Sequence, residues 1–248
     1  MLSGDTMETM TEPKPLGALD RIIGVITEPE KTFTDIAVRP SWGLPMMLAL
    51  LAMIAVGILM KDVIQKESAE KTRISIMENK NIPDGDKQRI IDQSIEMMKK
   101  FWVVGFAVGM VVIVIAYFIS ALILKLGGSA VLKSTATFTQ VLTIFSWSGI
   151  VDLLGALIKL PIMYINQSMR VDTGLGILIG EELGHTTTYL IMSKFDIFTI
   201  WMLIVMSIGI AVVFKAPKSK SMILVFGLWL VWVLAQWGMA LMGMRVGG

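Results

Sequence analysis

The stretch FWVVGFAVGMVVIVIAYFISALIL, residues 101–124, decides the class of protein to which this chain belongs. Its 24 residues include no Asp, Glu, Lys, Arg or His. A helix of that length measures about 36 Å at 1.5 Å per residue, enough to cross the roughly 30 Å hydrocarbon core of a bilayer. The stretch therefore predicts a membrane-spanning helix.

Four further apolar stretches of similar length predict a five-span membrane protein. They lie at residues 44–60, 138–158, 197–214 and 222–244 and carry almost no charge. Charged residues make up 17% of the chain, against roughly 25% in soluble domains. We therefore expect an all-α polytopic membrane protein. An ordinary soluble enzyme, a disordered chain and a DNA-binding domain are excluded.

The region before the first span predicts a tail and two short helices. Residues 1–15 are polar and proline-containing, which indicates a flexible tail, and residues 16–248 are predicted to form one membrane domain. Apolar residues at helical spacing between Leu16 and Ile26 predict one helix, and Pro29 restarts a second, since proline suits a first helical turn. Both are too short to span. We expect them to lie at the membrane interface, apolar face on lipid; packing on the end of the bundle is the alternative.

The connection between the first two spans, residues 61–100, carries nine basic and eight acidic residues. Two helical stretches flank the turn signal Ile82-Pro83-Asp84-Gly85. Apolar residues at spaced positions on both arms predict a helical hairpin outside the membrane. A charge-rich solvated arm is a compatible description of the same segment.

Lysine and arginine counts in the loops predict the orientation. The short turn at residues 215–221 carries three lysines and is expected in the cytoplasm, which places the N-terminus there too. The same assignment leaves nine basic residues inside and 13 outside, nine of the latter in residues 61–100. We expect a multi-pass protein of a prokaryotic cytoplasmic membrane with a cytoplasmic N-terminus.

Asp152 is the only acidic residue inside a predicted span. Placing a carboxylate there costs roughly 2.5–3.5 kcal/mol, so it should face protein or water. It shares one helical face with Ser148, Gly155 and Lys159, and Lys159 lies two turns, about 10 Å, away. Asp152 is a proton- or ion-relay carboxylate, a hydrogen-bonded packing contact between helices, or a carboxylate near the membrane interface.

Two other patterns suggest helix packing within the membrane. Gly105 and Gly109 have the spacing that lets two helix backbones approach closely, and we favour a partner helix in the same chain over a second copy in a homo-oligomer. Trp229, Trp232 and Gln236 form a stripe on the last span. This stripe is either a packing surface with Gln236 hydrogen-bonded across it or a substrate platform.

No pattern in the sequence indicates catalysis, a cofactor or a metal. His185 is the only histidine, and although Glu181 and Glu182 precede it, zinc sites normally use several His or Cys ligands. The glycines of residues 174–180 miss the dinucleotide-binding spacing by one residue. The net charge of +2 is too small to indicate a nucleic acid partner. We expect a protein that is not an enzyme.

Two stretches carry a family resemblance. The first is RIIGVITEPEKTFTDI, residues 21–36, which contains Pro29 and Phe33 and precedes the first span. The second is DIFTIW, residues 196–201, which runs into the fourth span and supplies Asp196, Phe198 and Trp201. In their order and spacing they resemble the prokaryotic branch of the Yip family, integral membrane proteins named for interacting with Ypt/Rab GTPases. The resemblance covers about residues 16–245.

The resemblance implies a five-span domain with a cytoplasmic N-terminus and no known catalysis. The acidic-Leu-Tyr-Gly-Pro signature of the eukaryotic members does not occur in this sequence, so no residue here is assigned to GTPase binding. We expect a non-enzymatic scaffold or adaptor that recruits membrane or peripheral proteins at a lipid bilayer. The alternative is a subunit of a transport or lipid-handling system, with Asp152 and Gln236 lining a polar cavity.

Overall fold

Helices make up most of the chain, as the composition predicts. The computed structural model describes residues 15–179 and 187–241, and within these ranges it has no β-strand beyond one isolated bridge. A short 3-10 helix covers Leu175–Leu178. The α-helices in the described ranges are α1 Ala18–Thr27, α2 Pro29–Val38, α3 Gly43–Leu59, α4 Lys61–Glu78, α5 Asp84–Lys100, α6 Trp102–Leu132, α7 Phe138–Ser148, α8 Ile150–Asn166, α9 Thr187–Met192, α10 Ile197–Phe214 and α11 Lys218–Leu241.

Within residues 15–179 and 187–241, four helical segments are long and apolar enough to cross a membrane: α6, the α7–α8 pair, α10 and α11. A fifth candidate arises only if α2 and α3 are counted together, although they meet at an angle of 117°. The predicted class, a polytopic all-α membrane protein, is therefore confirmed with four or five candidate spans. The first predicted span corresponds to α3, whose 17 residues are at the lower end of the length that crosses a bilayer.

Helix α10 is the centre of the bundle. Half (50%) of the most apolar segment of α10 is buried inside the protein, compared with 11% of the corresponding segment of α6. It packs against α2, α7, α8 and α11. Several of the largest fully buried side chains come from these surrounding helices and from α10 itself, among them Phe33, Trp147, Ile210 and Phe214. Helices α6 and α11 therefore form the outer, lipid-facing side of the bundle.

The two N-terminal helices differ from the expected interfacial pair. Phe33 and Ile36 on α2 are almost completely buried, because α2 packs against α7 and α10. The interfacial prediction is wrong for α2, and packing on the bundle describes it instead. Helix α1 still presents apolar side chains outward, since Leu19 and Ile23 are 73% and 60% exposed. Pro29 occupies the first turn of α2, as expected.

Two helices extend beyond the predicted spans. Helix α6 continues past residue 124, through Gly127 and Gly128, to Leu132. Their missing side chains serve packing: a Cβ on Gly128 would lie 2.4 Å from Cζ of Phe214, and one on Gly127 would lie 3.3 Å from Leu224. Helix α8 continues through Pro161 to Asn166, beyond the predicted end at residue 158.

The predicted helical hairpin is present as α4 and α5, which pack against each other. Ile91 on α5 is fully buried, and the Lys87 ammonium donates to the Met77 carbonyl across the turn at 3.0 Å. Glu67 on α4 reaches the segment after α8, whereas Lys218 at the start of α11 pairs with Glu30 on α2. The hairpin and the N-terminal helices therefore lie at opposite ends of the bundle.

Candidate functional site

Asp196 begins the central helix. Its carboxylate Oδ1 accepts hydrogen bonds from the backbone N–H groups of Phe198 at 2.8 Å and Thr199 at 3.4 Å. An acidic side chain immediately before an apolar run is a typical N-cap, because it satisfies donors that have no partner inside the helix. Asp196, which the family resemblance singles out, is therefore the N-cap residue of α10.

The other carboxylate oxygen of Asp196 holds two neighbouring segments. Lys159 Nζ on α8 donates to Oδ2 at 2.7 Å, and the Thr173 hydroxyl donates to the same oxygen. Gly174, the next residue, forms an antiparallel bridge with Asp196. One carboxylate thus joins α8, α10 and the segment between them. We call Lys159, Thr173 and Asp196 the Asp196 cluster.

Gly155 and Phe198 bring α8 and α10 together beside the Asp196 cluster. A Cβ on Gly155 would lie 2.7 Å from Cγ of Phe198, so only glycine allows the ring to pack there. The Lys159 ammonium lies 5.4 Å from the centre of the Phe198 ring, within the range of a cation–π interaction. Four residues singled out from the sequence, Gly155, Lys159, Asp196 and Phe198, therefore form one contact site.

Charge and hydrogen bonding oppose burial at Asp196. Burial alone raises the pKa of the Asp196 carboxyl, but the hydrogen bonds from Lys159, Thr173 and the Phe198 N–H outweigh it and hold the pKa below its usual value of 3.8. The carboxylate is therefore ionised at neutral pH and fully engaged. This arrangement fixes helix positions and leaves no free general base.

Asp152 and Ser148 do not join the Asp196 cluster. Asp152 is exposed and makes no hydrogen bond or ion pair within the described part of the chain, although it lies within electrostatic range of Lys159 and Asp196. Ser148 is buried and donates to the Ile144 carbonyl of its own helix at 2.8 Å. The predicted common face is interrupted because α7 ends at Ser148, one turn before Asp152.

The first family stretch, residues 21–36, forms a separate contact site around α2. Phe33 packs on Gly209 of α10, where a Cβ would lie 3.1 Å from the ring. The Arg21 guanidinium binds Asp35 at 2.8 Å and the Ser41 hydroxyl at 2.7 Å. These contacts tie α1, α2 and the start of α3 into one unit. The remaining family residue, Trp201, packs against the same core from α10.

The base of the hairpin meets the segment that follows α8. The Glu67 carboxylate accepts from the Met169 N–H at 2.9 Å and from the Ser168 hydroxyl at 3.1 Å. An open cavity of about 210 Å³ lies at this junction. Its lining comprises Glu67, Glu70, Lys71, Ser168 and Arg170. No sequence pattern indicates the Glu67 contact, because its partners are about 100 residues away.

The glycine pair on α6 has no close neighbour among the described residues. A Cβ added to Gly105 or Gly109 would meet nothing within 4 Å there. Packing of this pair against a partner helix, in the same chain or in a second copy, stays a prediction.

The predicted stripe on α11 is split between different contacts. Trp229 packs edge-to-face on Phe195 at 5.1 Å, and the Lys194 ammonium lies 5.5 Å from the centre of the Trp232 ring. Gln236 makes no hydrogen bond with any described residue, so the expected bond to another helix is not seen. Trp229 and Trp232 therefore contact the segment that precedes α10.

His185, Glu181 and Glu182 lie outside the described residues. Among residues 15–179 and 187–241, no three acidic or histidine side chains come together as a metal site would require. Neither described range therefore suggests a metal centre.

The comparisons with known proteins agree with the resemblance seen in the sequence. A family model described as the Yip1 domain matches residues 23–243, which include the Asp196 cluster, Phe33 and all the candidate spans. No curated protein and no solved structure matches the chain. Because the family model covers most of its length, the chain belongs to the Yip1 domain family of membrane proteins.

Proposed function

We propose that this protein is a non-enzymatic membrane scaffold whose α4–α5 hairpin recruits partner proteins. Membership of the Yip1 domain family supports a role in the membrane. The observation that carries the proposal is the hairpin itself: two charged helices, packed on each other, at the end of the bundle opposite the N-terminal helices.

The hairpin has the shape of a projecting arm. Helix α4 has 18 residues and α5 has 17, so each is about 25–27 Å long. A connection between two helices usually needs about 2–8 residues, so this length exceeds what the connection requires. Charged side chains of both signs are exposed along both arms: Lys66, Glu70, Lys71, Arg73, Glu78, Lys80, Asp84, Arg89, Asp92, Glu96, Lys99 and Lys100.

The hairpin is also anchored at its base. The buried Ile91 lies on α5 where it packs against α4, and the Glu67 carboxylate on α4 accepts from the Ser168 hydroxyl and the Met169 N–H. A preformed surface loses less conformational entropy on binding than a flexible loop does. The anchored base therefore favours a binding surface over a passive connection.

The test compares partner capture by two variants in the native membrane. In the first, residues 70–92 are replaced by a six-residue Gly/Ser linker, which removes the outer hairpin but keeps Glu67. In the matched control, four Gly/Ser residues are inserted at Gly85, which leaves both arms in place. Cross-linked complexes are purified in mild detergent and quantified by mass spectrometry against wild type.

We expect the shortened variant to lose a defined set of proteins that wild type and the insertion variant both retain. Retention of the same set by the shortened variant would make the hairpin only a connector. Both variants must insert at wild-type levels, which protease protection of tagged membranes checks.

A second candidate function is a transport or lipid-handling role, favoured by one observation. The Asp152 carboxylate is exposed and unpaired among the described residues, although it lies within a candidate span. Asp152→Asn should then alter proton-coupled flux in liposomes, whereas Asp92→Asn on the exposed hairpin should not. Unchanged flux in the Asp152 variant removes this candidate.

A further inference from the structure

Three lysines stand at the end of the bundle opposite the hairpin. Lys133 and Lys215 directly follow α6 and α10, each in the left-handed backbone region, with φ of 51° and 50°. Lys220 lies in the first turn of α11. All three side chains are exposed. We call these three residues the basic cluster.

Packing brings the three helix ends together. Phe214, which precedes Lys215, packs on Gly128 of α6. Gly127 packs on Leu224, which follows Lys220 by one turn on the same face of α11. Leu132 and Ala216, next to Lys133 and Lys215, both pack on the main core. The basic cluster therefore occupies one corner of the bundle.

The acidic side chains described at this end are already engaged elsewhere. Glu30 pairs with Lys218 at 2.6 Å, Glu28 with Lys31 at 2.9 Å, and Asp35 with Arg21 at 2.8 Å. Asp20 accepts a hydrogen bond from the Gly17 N–H at the start of α1. No ion pair within the described part of the chain neutralises the basic cluster, so its three ammonium groups are available to an external anion.

The position of the basic cluster favours a lipid as the source of that charge. Helices α6 and α11 are the outermost candidate spans, since only 11% and 17% of their most apolar segments are buried inside the protein. They expose large apolar side chains along their length, among them Ile119, Leu122, Ile123, Leu126, Ile223 and Leu230. Lysines at the ends of lipid-facing helices extend their ammonium groups to the headgroup layer.

We propose that Lys133, Lys215 and Lys220 bind the phosphate headgroup of an anionic phospholipid in the leaflet on the side of the N-terminal helices. The ammonium groups supply hydrogen-bond donors to the phosphate oxygens, while the acyl chains lie along α6 and α11. A soluble acidic protein fits less well, because the apolar faces directly below the cluster need hydrocarbon contact.

The test measures lipid selectivity of the full-length protein in nonionic detergent. Native mass spectrometry compares bound phosphatidylglycerol with bound phosphatidylcholine at equal concentrations. The test variant is Lys133→Gln/Lys215→Gln/Lys220→Gln. The matched control, Lys66→Gln/Lys80→Gln/Lys99→Gln, removes three exposed lysines from the hairpin at the other end.

We expect wild type and the control variant to prefer phosphatidylglycerol, and the test variant to lose that preference by about tenfold or more, since each lysine near an anionic surface contributes about fivefold. An unchanged preference in the test variant, or an equal loss in the control, overturns the proposal. So does inorganic phosphate or an acidic peptide that competes as effectively as the lipid. If the triple variant does not fold, the three single variants are compared in the same way.

Discussion

Lys159 Nζ and Asp196 Oδ2 lie 2.7 Å apart, although 37 residues separate them in the sequence. The pair joins the later part of α8 to the residue immediately before α10, the helix at the centre of the bundle. Their side chains are 19% and 9% exposed, so solvent screens the attraction only weakly. This contact makes the Asp196 cluster a structural joint of the bundle.

Removing the lysine of this pair should destabilise the protein. Lys159→Met leaves the Asp196 carboxylate without its charged partner, and we expect the free energy of unfolding to fall by about 3 kcal/mol. Reversible unfolding in mixed micelles measures it. Lys99→Met, on the exposed hairpin, serves as the control and should change stability by less than about 0.5 kcal/mol.

The same pair should show coupling in a double-mutant cycle. Because Asp196→Asn removes the charge that Lys159→Met leaves unpaired, the double variant should lose less stability than the sum of the two single variants. Strict additivity would contradict a direct interaction between the two side chains.

Acid should weaken the joint through Asp196. Because the pKa of the folded-state carboxyl lies below its usual value of 3.8, ionisation of this group stabilises the fold above that pH. The contribution is lost as the pH falls through the lowered pKa. The stability difference between wild type and Asp196→Asn should therefore be constant near pH 6–7 and shrink below 3.8, as thermal melts in a pH series measure. A stability difference between the two proteins that grows as the pH falls would contradict the lowered pKa of Asp196.

Phe33 should be essential for docking of the N-terminal helices. Phe33→Ala removes a fully buried ring from its site on Gly209, and we expect a loss of about 3–5 kcal/mol in the free energy of unfolding. Val38→Ala on the same helix is the matched control, because Val38 is 75% exposed. Increased proteolysis near α2 in the Phe33 variant alone provides a second measurement. Equal stability of the two variants would show that α2 does not dock as described.

Glycines with and without close neighbours should respond differently to substitution. Gly128→Val forces side-chain atoms into the Phe214 ring and should lower the melting temperature. A Cβ on Gly105 meets nothing within 4 Å, so Gly105→Val should change the melting temperature much less. Thermal unfolding of both variants measures the contrast. A large destabilisation of the monomeric protein by Gly105→Val would indicate a partner helix that the structure lacks.

Local patterns in the sequence predict much of the fold. Apolar run length predicts α6, α10 and α11, the turn signal at Pro83 predicts the hairpin, and Pro29 predicts the start of α2. Each of these features depends on neighbouring residues. The division into a tail and one domain remains a prediction that the structure does not test.

Contacts between distant segments are what the sequence could not predict. Gly127 and Gly128 have the composition of a turn, and only the facing Phe214 and Leu224 reveal them as packing glycines inside a helix. Among the acidic residues, Asp152 is the nearest to Lys159 in the sequence, yet Lys159 pairs with Asp196. The position of Asp196 before an apolar run was a usable signal for its N-cap role. The Glu67 contact had no comparable signal.

The most direct test of the scaffold proposal is site-specific photo-cross-linking in living cells. A photoreactive residue is placed at Asn81, at the tip of the hairpin, and in a control variant at Ser219, which is exposed at the opposite end. We predict that Asn81 forms discrete adducts with other proteins and that Ser219 does not form the same adducts. If Asn81 yields no protein adduct, or only those that Ser219 also yields, the hairpin is not the surface that recruits partners.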